Sequence, residues 1–272
     1  MRRFFQKHIL ISVFSAFLAG FTLWGLMRDP ITMTLSRTLT SPTKTLPFGA
    51  DHLGRDILAR VAHGLFWDMG LSLSVVLFSM IIGVSLGLLA GYRAGWFDSL
   101  LILVMDSVLS LPHIILAMVV MLYLSYSAKA LVIALVMPGW VKYARIIRAQ
   151  VQTLKETDFV LYEKIVGAGF LWICFKHLLP NVILPVIGLA ALHLGHTLLS
   201  VASLGFLGLG LQPPSPEWGT MIMEAKPYIM RAPWTAIFPG LFIFSFIFLF
   251  TLIGRRLEKM FQGDTEATYV EN

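Results

Sequence analysis

Apolar residues are concentrated in long runs, and polar residues gather in the segments between them. A membrane-spanning helix needs about 20 mostly apolar residues, because each residue advances it by only about 1.5 Å across a hydrocarbon layer about 30 Å thick. Six stretches reach or approach this length. The pattern therefore predicts an all-α transmembrane fold whose spans cover residues 9–27, 70–91, 100–124, 129–141, 183–207 and 235–253.

The first and fourth of these spans depend on more than the length of the apolar run. The first follows two arginines at the start of the sequence, as in a signal peptide, but its apolar run is longer than the usual signal core of about 7–15 residues, so we expect a retained helix. The fourth reaches spanning length only if its helix continues past Pro138 and Gly139 into the basic stretch that begins at Lys142.

Composition supports a membrane protein. The chain is 57% hydrophobic and only 13% charged, whereas a soluble domain carries about 25% charged residues. Cys174 is the single cysteine, which excludes a disulfide framework and a multi-cysteine metal site. The net charge of +6 suits anionic lipid headgroups, and we expect no nucleic-acid partner. With no low-complexity or Gly/Ser-rich linker, we interpret the chain as one domain.

The distribution of basic residues predicts the orientation. An even number of spans puts both termini on the same side of the membrane, and basic residues favour the cytoplasmic loops. If the termini are cytoplasmic, the inner segments are 1–8, 92–99, 142–182 and 254–272. These segments hold 13 of the 21 Lys and Arg residues. We therefore expect a multi-pass protein with both termini in the cytoplasm.

The longest inner segment, 142–182, contains a predicted docking element. A cap at Thr157 or Asp158 begins a short amphipathic helix, Phe159 to Val166, which Gly167 and Gly169 end. A helix this short is not stable alone, so its apolar side chains need a surface that covers them. That surface is either the lipid headgroup layer or a groove on a cytoplasmic partner.

Four segments carry a family resemblance. Gly167 is followed by Leu179-Pro180 at the spacing of a cytoplasmic signature. The other segments read FGADHLGRDILARVAHG at 48–64, GWFDSLLILVMDSVLSLP at 95–112 and SLGFLGLGLQPPSPEWGTMI at 203–222. In this order they resemble the permease subunits of ATP-binding-cassette (ABC) importers, in the branch that imports dipeptides, oligopeptides and nickel, and within it the second, C-type permease.

The resemblance implies a six-helix type I importer permease with a cytoplasmic coupling helix. It divides the chain into an N-terminal span with a periplasmic segment, residues 1–69, and a five-span permease core, residues 70–272, with its coupling loop at about 142–182. It also implies a bacterial plasma (inner) membrane location. The residues expected to couple the chain to an ATPase are Asp158, Phe159, Tyr162, Glu163, Gly167, Leu179 and Pro180.

This chain departs from the family signature at three positions. Tyr162 and Glu163 stand where the signature has paired alanines, and His177 stands where it has isoleucine. The bulky Tyr162 suggests that the partner groove has an adjusted shape, so an ATPase from a related system is not expected to substitute.

Ionisable residues within spans are candidates for a translocation path, because each costs about 2.5–3.5 kcal/mol at mid-membrane. Asp106 suits either substrate contact or packing in a permease pair. His193 and His196 share a helix face, and imidazole binds nickel well; two histidines without a third ligand nevertheless give no firm metal site. The path or gate residues we expect are Asp106, His113, His193, His196, Phe206, Gly208, Gly210 and Trp218.

Two loop segments have open interpretations. The glycines of 206–210 and the prolines of 213–216 form either a re-entrant gate element or a rigid loop with Trp218 as an interfacial anchor. In DHLGRD, Asp51 is expected to cap a helix that contains Ile57. The acids and arginines of this segment are expected either to pair with one another or to contact substrate, and an outer position also allows contact with a binding protein.

No phosphate-binding G-x-x-x-x-G-K-[ST] loop occurs, so the chain is not expected to be an enzyme. ATP and Mg²⁺ are expected on partner subunits, with no cofactor on this chain. The expected partners are a second, different permease, two cytoplasmic ABC ATPases, an extracytoplasmic solute-binding protein and membrane lipid. Together they would move cargo by alternating access.

The cargo stays open between two classes. Gly195-His196 and Val201-Ala202 resemble nickel-importing relatives, which favours nickel or a metal chelate over a plain dipeptide or oligopeptide. A secondary carrier without an ATPase is the rival of another class, although no internal repeat supports it. A membrane-bound receptor or assembly factor is a further alternative.

Overall fold

A computed structural model describes residues 18–93, 95–124 and 126–270, and for 261–270 it describes the backbone alone. The described chain is helical, and its only β-type pairing is an isolated bridge between Ala50 and Asp56. The helices are α1 (18–26), α2 (Ile57–Arg93), α3 (Trp96–Leu109), α4 (His113–Tyr123), α5 (Ala128–Leu154), α6 (Asp158–Ile165), α7 (Phe170–Phe206), α8 (Trp218–Ala225) and α9 (Trp234–Val270).

Among the described residues, four helices are long and apolar enough to cross a membrane: α2, α5, α7 and α9. They confirm the predicted spans at 70–91, 129–141, 183–207 and 235–253. The predicted first span, 9–27, lies mostly outside the described residues, although 18–26 are helical. Helix α5 runs for 27 residues through Pro138, as its predicted spanning length requires.

The predicted third span, 100–124, is not one continuous helix. Helices α3 and α4 are separated by residues 110–112 and bend by 89°. Pro112 explains the break, because its ring disfavours the helical conformation at Leu111 and it has no N–H to donate. The pair is therefore a broken span or a re-entrant loop.

The chain divides into two compact units. Unit 1 comprises residues up to 72, 124–131 and 198–249, and its apolar core surrounds Trp218 with Leu58, Val61, Leu198 and Phe242.

Unit 2 comprises 73–123, 132–197 and the residues from 250 onward. Its main core cluster contains Tyr143, Ile147, Val160, Ile173 and Leu178, and thus joins helices α5, α6 and α7.

A stripe of glycines brings α2 and α5 into close contact within unit 2. A Cβ atom placed on Gly83, Gly87 or Gly91 would lie 2.4, 2.7 or 2.8 Å from a backbone oxygen of α5. The three glycines are four residues apart and so lie on one face of α2. Small residues at this spacing allow helix backbones to approach closely in membranes.

Candidate functional site

Helix α6 confirms the predicted short helix of the 142–182 segment. It begins after Thr157, whose hydroxyl donates to Leu154 O rather than capping α6. Its last residue is Ile165, and Gly167, two residues further on, adopts φ +88°, a conformation that glycine tolerates best. The N–H groups of Gly167 and Ala168 donate to the carbonyls of Lys164 and Glu163. This is the two-bond pattern of a Schellman motif.

Helix α6 is attached to unit 2 by one face and leaves its other face open. Val160 is completely buried in the main core cluster. Tyr162 is 67% exposed and Ile165 is 83% exposed, and Phe159 is also exposed. Of the apolar side chains predicted to need a covering surface, Val160 is therefore covered by the chain itself, whereas Phe159 and Ile165 are left uncovered.

Two of the three departures from the family signature contact each other. His177 Nε2 lies 3.1 Å from Glu163 Oε1, and each side chain is less than a quarter exposed. The ring of Phe159 lies 5.9 Å from that of His177. A polar pair thus occupies the place where the signature has an alanine and an isoleucine.

Leu179 and Pro180 follow a π-helical turn, Cys174–Leu178, within α7. Pro180 has no N–H, so the carbonyl of Lys176 cannot receive the usual hydrogen bond from it. The π-helical turn lies next to α6. Leu178, at its end, is buried in the same apolar cluster as Val160, and Leu179 packs against that cluster.

Helices α3 and α5 are joined by two ion pairs. The Asp98 carboxylate pairs with the Arg148 guanidinium through both Nε and Nη2, and the Nη2 atom lies 2.6 Å from Oδ2. Asp106 Oδ1 lies 2.7 Å from Arg145 Nη2, and both side chains are more than half exposed. Asp106, an expected path residue, therefore has a helix-packing contact in its own chain.

The histidines expected on a path lie in unit 2 but in different environments. His193 is buried, and its Nδ1 lies 2.8 Å from the Tyr143 hydroxyl. His196 and His113 are exposed. Lys142 is close enough to interact electrostatically with His113 and His193. In the sequence, Lys142 is visible only as the first residue of the basic stretch that follows the fourth apolar run.

The predicted cap at Asp51 is wrong. Helix α2 begins at Ile57, and Asp56 Oδ1 accepts the N–H of Leu58 at 2.9 Å. Asp51 lies too far upstream for this role and instead accepts the N–H groups of Leu53 and Arg55.

Asp51 belongs to a buried charge network. Its Oδ2 atom lies 2.6 Å from both Arg55 Nε and Arg60 Nη1, and both arginines also lie 3.0 Å from Glu224 Oε2. Burial acts to raise the pKa of Asp51, but the two guanidiniums and the backbone N–H groups outweigh it and hold that pKa below its usual range. Glu224 was missed because no sequence pattern links positions so far apart.

Asp51, His52 and Glu224 also place possible metal-ligand atoms within 4.8 Å of one another. Both Asp51 oxygens and Glu224 Oε2 already accept hydrogen bonds from arginine or backbone donors. A cation there would have to displace two buried guanidiniums, which would then lack counter-charges. The cluster fits a structural charge network rather than a metal centre.

Trp218 is a core residue and not an interfacial anchor. It is completely buried, its indole N–H donates to Val61 O at 2.9 Å, and it packs against Phe242. A Cβ on Gly64 would lie 2.6 Å from the indole nitrogen, so only glycine leaves room for this ring.

Glu217 fastens the proline-rich segment to α8. Its Oε1 accepts the N–H of Gly219 at 2.6 Å, and its Oε2 accepts the N–H and hydroxyl of Thr220 at 2.8 and 2.6 Å. A Cβ on Gly205 or Gly210 would lie 2.1 or 2.9 Å from Glu217 Oε2. These glycines therefore make room for the buried carboxylate. Burial raises the pKa of Glu217.

Asp68 holds the other end of this turn, because its Oδ2 accepts the N–H of Trp218 at 3.1 Å. Asp68 and Glu217 are both completely buried, and two neighbouring carboxylates at such a site are not expected to be ionised together. Asp68 Oδ1 receives no hydrogen bond from the described chain, whereas both Glu217 oxygens have donors.

The remaining expected gate residues lie nearby at the end of α7. Phe206 is its last residue and is exposed, and Gly208 follows with φ +80°. Gly210 is buried. The structure thus brings Gly210 and Trp218 into the surroundings of Glu217 and leaves Phe206 at the surface of unit 1.

Long apolar helices, ion pairs between helices and a surface helix with an uncovered apolar face define a multi-pass membrane protein of the permease type. The model of the family "Binding-protein-dependent transport system inner membrane component" matches residues 83–262. The chain belongs to this family of transport permeases, whose members reside in the inner membrane and work with other components of a transport system.

Relatives of similar length support this assignment. The chain is 37% identical over 252 residues to the di/tripeptide transport system permease protein DppC of Pseudomonas aeruginosa, covering 90% of this chain and 83% of the relative. It is 34% identical over 249 residues to the nickel transport system permease protein NikC of Escherichia coli, covering 92% and 90%.

A structure of the MetNI methionine ABC transporter is similar in fold. The similarity has a TM-score of 0.59 at 19% identity, and it covers 74% of this chain and 96% of that one. It confirms the predicted class of a type I importer permease fold.

Proposed function

We propose that this chain is a path-forming permease subunit of an ABC importer and that separate ATPase subunits act on it through α6. The observation that carries the proposal is the construction of α6. One face is fixed to the core by Val160, and the opposite face leaves Tyr162 and Ile165 open to a partner. A partner that moves α6 would move α5 and α7 with it, because all three share one apolar cluster.

The proposed assembly contains a second, different permease, two cytoplasmic ATPases that hold ATP and Mg²⁺, and an extracytoplasmic binding protein. Both termini of this chain would be cytoplasmic. Residues 1–69 would supply an N-terminal span and a periplasmic segment, and residues 70–272 the permease core. Asp158, Phe159, Tyr162, Glu163, Gly167, Leu179 and Pro180 would form or position the coupling surface.

The proposed cargo is nickel, a metal chelate or a small peptide. The names of the relatives support this range, because they include permeases for dipeptides, glutathione and nickel. Transport would follow alternating access, in which the ATPases open the path to one side at a time.

Replacement of Gly167 tests the coupling role. Gly167→Val would strain the backbone at φ +88° and reorient the end of α6. We expect ATP-dependent uptake and cargo-stimulated ATPase activity to fall at least tenfold in reconstituted complexes, while membrane insertion stays normal. The matched control is Gly95→Val, at φ +80° with equally open surroundings but outside α6. Equal losses in both variants, or unchanged coupling in Gly167→Val, would contradict the assignment.

A secondary carrier is favoured by one observation, the break between α3 and α4, since discontinuous helices are common in such carriers. The two functions differ in their energy source. Proteoliposomes that contain this chain alone, with an ion gradient and no ATP, would accumulate cargo only if it is a carrier.

A further inference from the structure

The guanidinium of Arg60 is buried, but its hydrogen bonds are incomplete. Its Nη1 atom contacts Asp51 Oδ2 and Glu224 Oε2 at 2.6 and 3.0 Å. Its Nε and Nη2 atoms have no hydrogen-bond partner in the part of the chain that the structure describes. The neighbouring Arg55 uses the same two atoms to bind Asp51 and Glu224. Because a buried donor without an acceptor is costly, the free edge of Arg60 favours an acceptor from outside the chain.

Arg60 also lines a small, partly enclosed cleft within unit 1. Asp51, His52, Glu224 and Tyr228 contribute to the wall of this cleft. The rings of His52 and Tyr228 are stacked, with centroids 5.4 Å apart and planes inclined by 10°. The cleft has room for about one water-sized group. It therefore admits the end of a side chain and not a whole cargo molecule.

The free edge of Arg60 has the geometry that binds a carboxylate. Nε and Nη2 lie on one side of the guanidinium plane, and their two parallel N–H bonds match the two oxygens of a carboxylate. Within the network, Arg55 and Arg60 balance the charges of Asp51 and Glu224. An additional carboxylate therefore needs further positive charge beside the cleft.

The turn Lys226–Arg231, with the sequence KPYIMR, supplies this charge and an apolar surface. The basic residues at both ends of the turn are exposed, and Ile229 and Met230 are 50% and 96% exposed. The N–H of Arg231 donates to the carbonyl of Tyr228 at 2.9 Å, which fixes the turn beside the cleft that the Tyr228 ring lines. Exposed Met, Tyr and Arg side chains are typical of protein-binding surfaces.

Chain order decides on which side of the membrane this turn lies. Helix α7 follows α6 and crosses the membrane once, and residues 226–231 come after its end. If the ATPases act on α6 from the cytoplasm, as the proposed function requires, the turn faces outside. A protein that docks there is extracytoplasmic.

We propose that Arg60 and the turn 226–231 form the docking site for an acidic and apolar patch of the extracytoplasmic binding protein. One carboxylate side chain of that protein enters the cleft and accepts hydrogen bonds from Nε and Nη2 of Arg60. The proposal rests on the proposed permease function and deepens it, because it names the surface on which cargo is delivered.

The test measures the affinity of the complete importer, in nanodiscs, for the purified binding protein of the same transport system. Arg60→Lys keeps a positive charge beside Asp51 and Glu224 but removes the two-donor edge. Lys226→Glu changes only the exposed turn. We expect each variant to weaken binding about tenfold, the effect of one lost charge-assisted contact. Lys44→Glu, at an exposed lysine that does not line the cleft, is the matched control and should leave the affinity unchanged.

A second set of variants identifies the carboxylate. Each surface Asp or Glu of the binding protein is replaced in turn by Asn or Gln. One replacement should weaken binding to the wild-type importer about tenfold but have little further effect on the Arg60→Lys importer, because both changes remove the same contact. If no replacement is coupled to Arg60 in this way, water occupies the cleft and the proposal is wrong.

Unchanged affinity in both Arg60→Lys and Lys226→Glu would overturn the docking site, and so would an equal loss in Lys44→Glu, which would indicate general charge attraction. If Arg60→Lys prevents assembly of the importer, Lys226→Glu decides, and unchanged affinity in that variant overturns the proposal. These results leave ATP-driven uptake by the wild type intact, whereas the proposed function itself fails if the wild-type complex takes up no cargo with ATP.

Discussion

At the scale of single residues, the Glu163–His177 contact explains two departures from the family signature together. Each substitution alone would put a polar group beside an apolar neighbour. Because the two side chains lie 3.1 Å apart, each supplies a partner for the other. The change therefore preserves the attachment between α6 and α7 while altering its chemistry.

A double-mutant cycle tests this compensation. Glu163→Ala and His177→Ile should each lower the unfolding temperature of the detergent-solubilised protein, because each leaves one partner unpaired. The double variant should be more stable than the sum of the single effects predicts, by about 0.5–1 kcal/mol for a partly exposed pair. Strict additivity would show that the contact contributes nothing.

At the scale of helices, the glycine stripe of α2 fixes its distance from α5. Gly87→Ala should destabilise the protein by about 1–3 kcal/mol, because the added Cβ would lie 2.7 Å from Ala144 O and 2.9 Å from Ile147 Cβ. Thermal unfolding in detergent measures this. Gly70→Ala on the same helix meets no atom within 4 Å and should be neutral or stabilising. A similar loss in both variants would argue against close helix contact.

The helices also show how far a sequence carries the prediction. Hydropathy located four spans because it reports the lipid-facing length of a helix directly. It missed the break at Pro112 because averaging over a long apolar run hides one residue that changes direction. It likewise gave no sign that Trp218 is enclosed by residues of α2 and α9.

The site was predictable to the extent that it is local. The α6 helix was predictable from its apolar spacing and from the glycines after it, which act within a few residues, although the predicted side-chain cap does not form. Glu224, Arg145 and the Glu217–Asp68 pair were not predicted, because each depends on contacts between residues far apart in sequence. Lys142 lies within helix α5. In the sequence it follows directly after an apolar run, so it was assigned to the cytoplasmic segment.

At the scale of the whole molecule, unit 1 depends on charges that distant segments supply. The Asp51 network joins the start of α2 to Glu224 at the end of α8. Its two arginines are each 1% exposed, and buried charges of this kind need their partners to remain ionised.

This dependence predicts acid sensitivity. The folded pKa of Asp51 is lower than its unfolded value of about 4. Its contribution to stability is therefore fully present above about pH 4 and is lost as the pH falls through the folded pKa. The unfolding temperature should drop below about pH 4, and Asp51→Asn should be less stable at neutral pH with a flatter profile. Glu156→Gln, at an exposed site outside the network, should keep the wild-type profile; an unchanged profile in Asp51→Asn would exclude this role.

The break at residues 110–112 has a consequence for the life of the protein in the cell. Helices α3 and α4 have 14 and 11 residues, about 21 and 17 Å, so neither crosses the hydrocarbon layer alone. Residues 110–112 are exposed in this chain, and backbone polar groups left facing lipid are costly. The Ser110 N–H and the Pro112 carbonyl are bonded within the chain, but a subunit made without the proposed second permease would still expose this bend. We therefore expect unassembled copies to be degraded by membrane quality-control proteases faster than assembled ones, which would keep subunit numbers balanced.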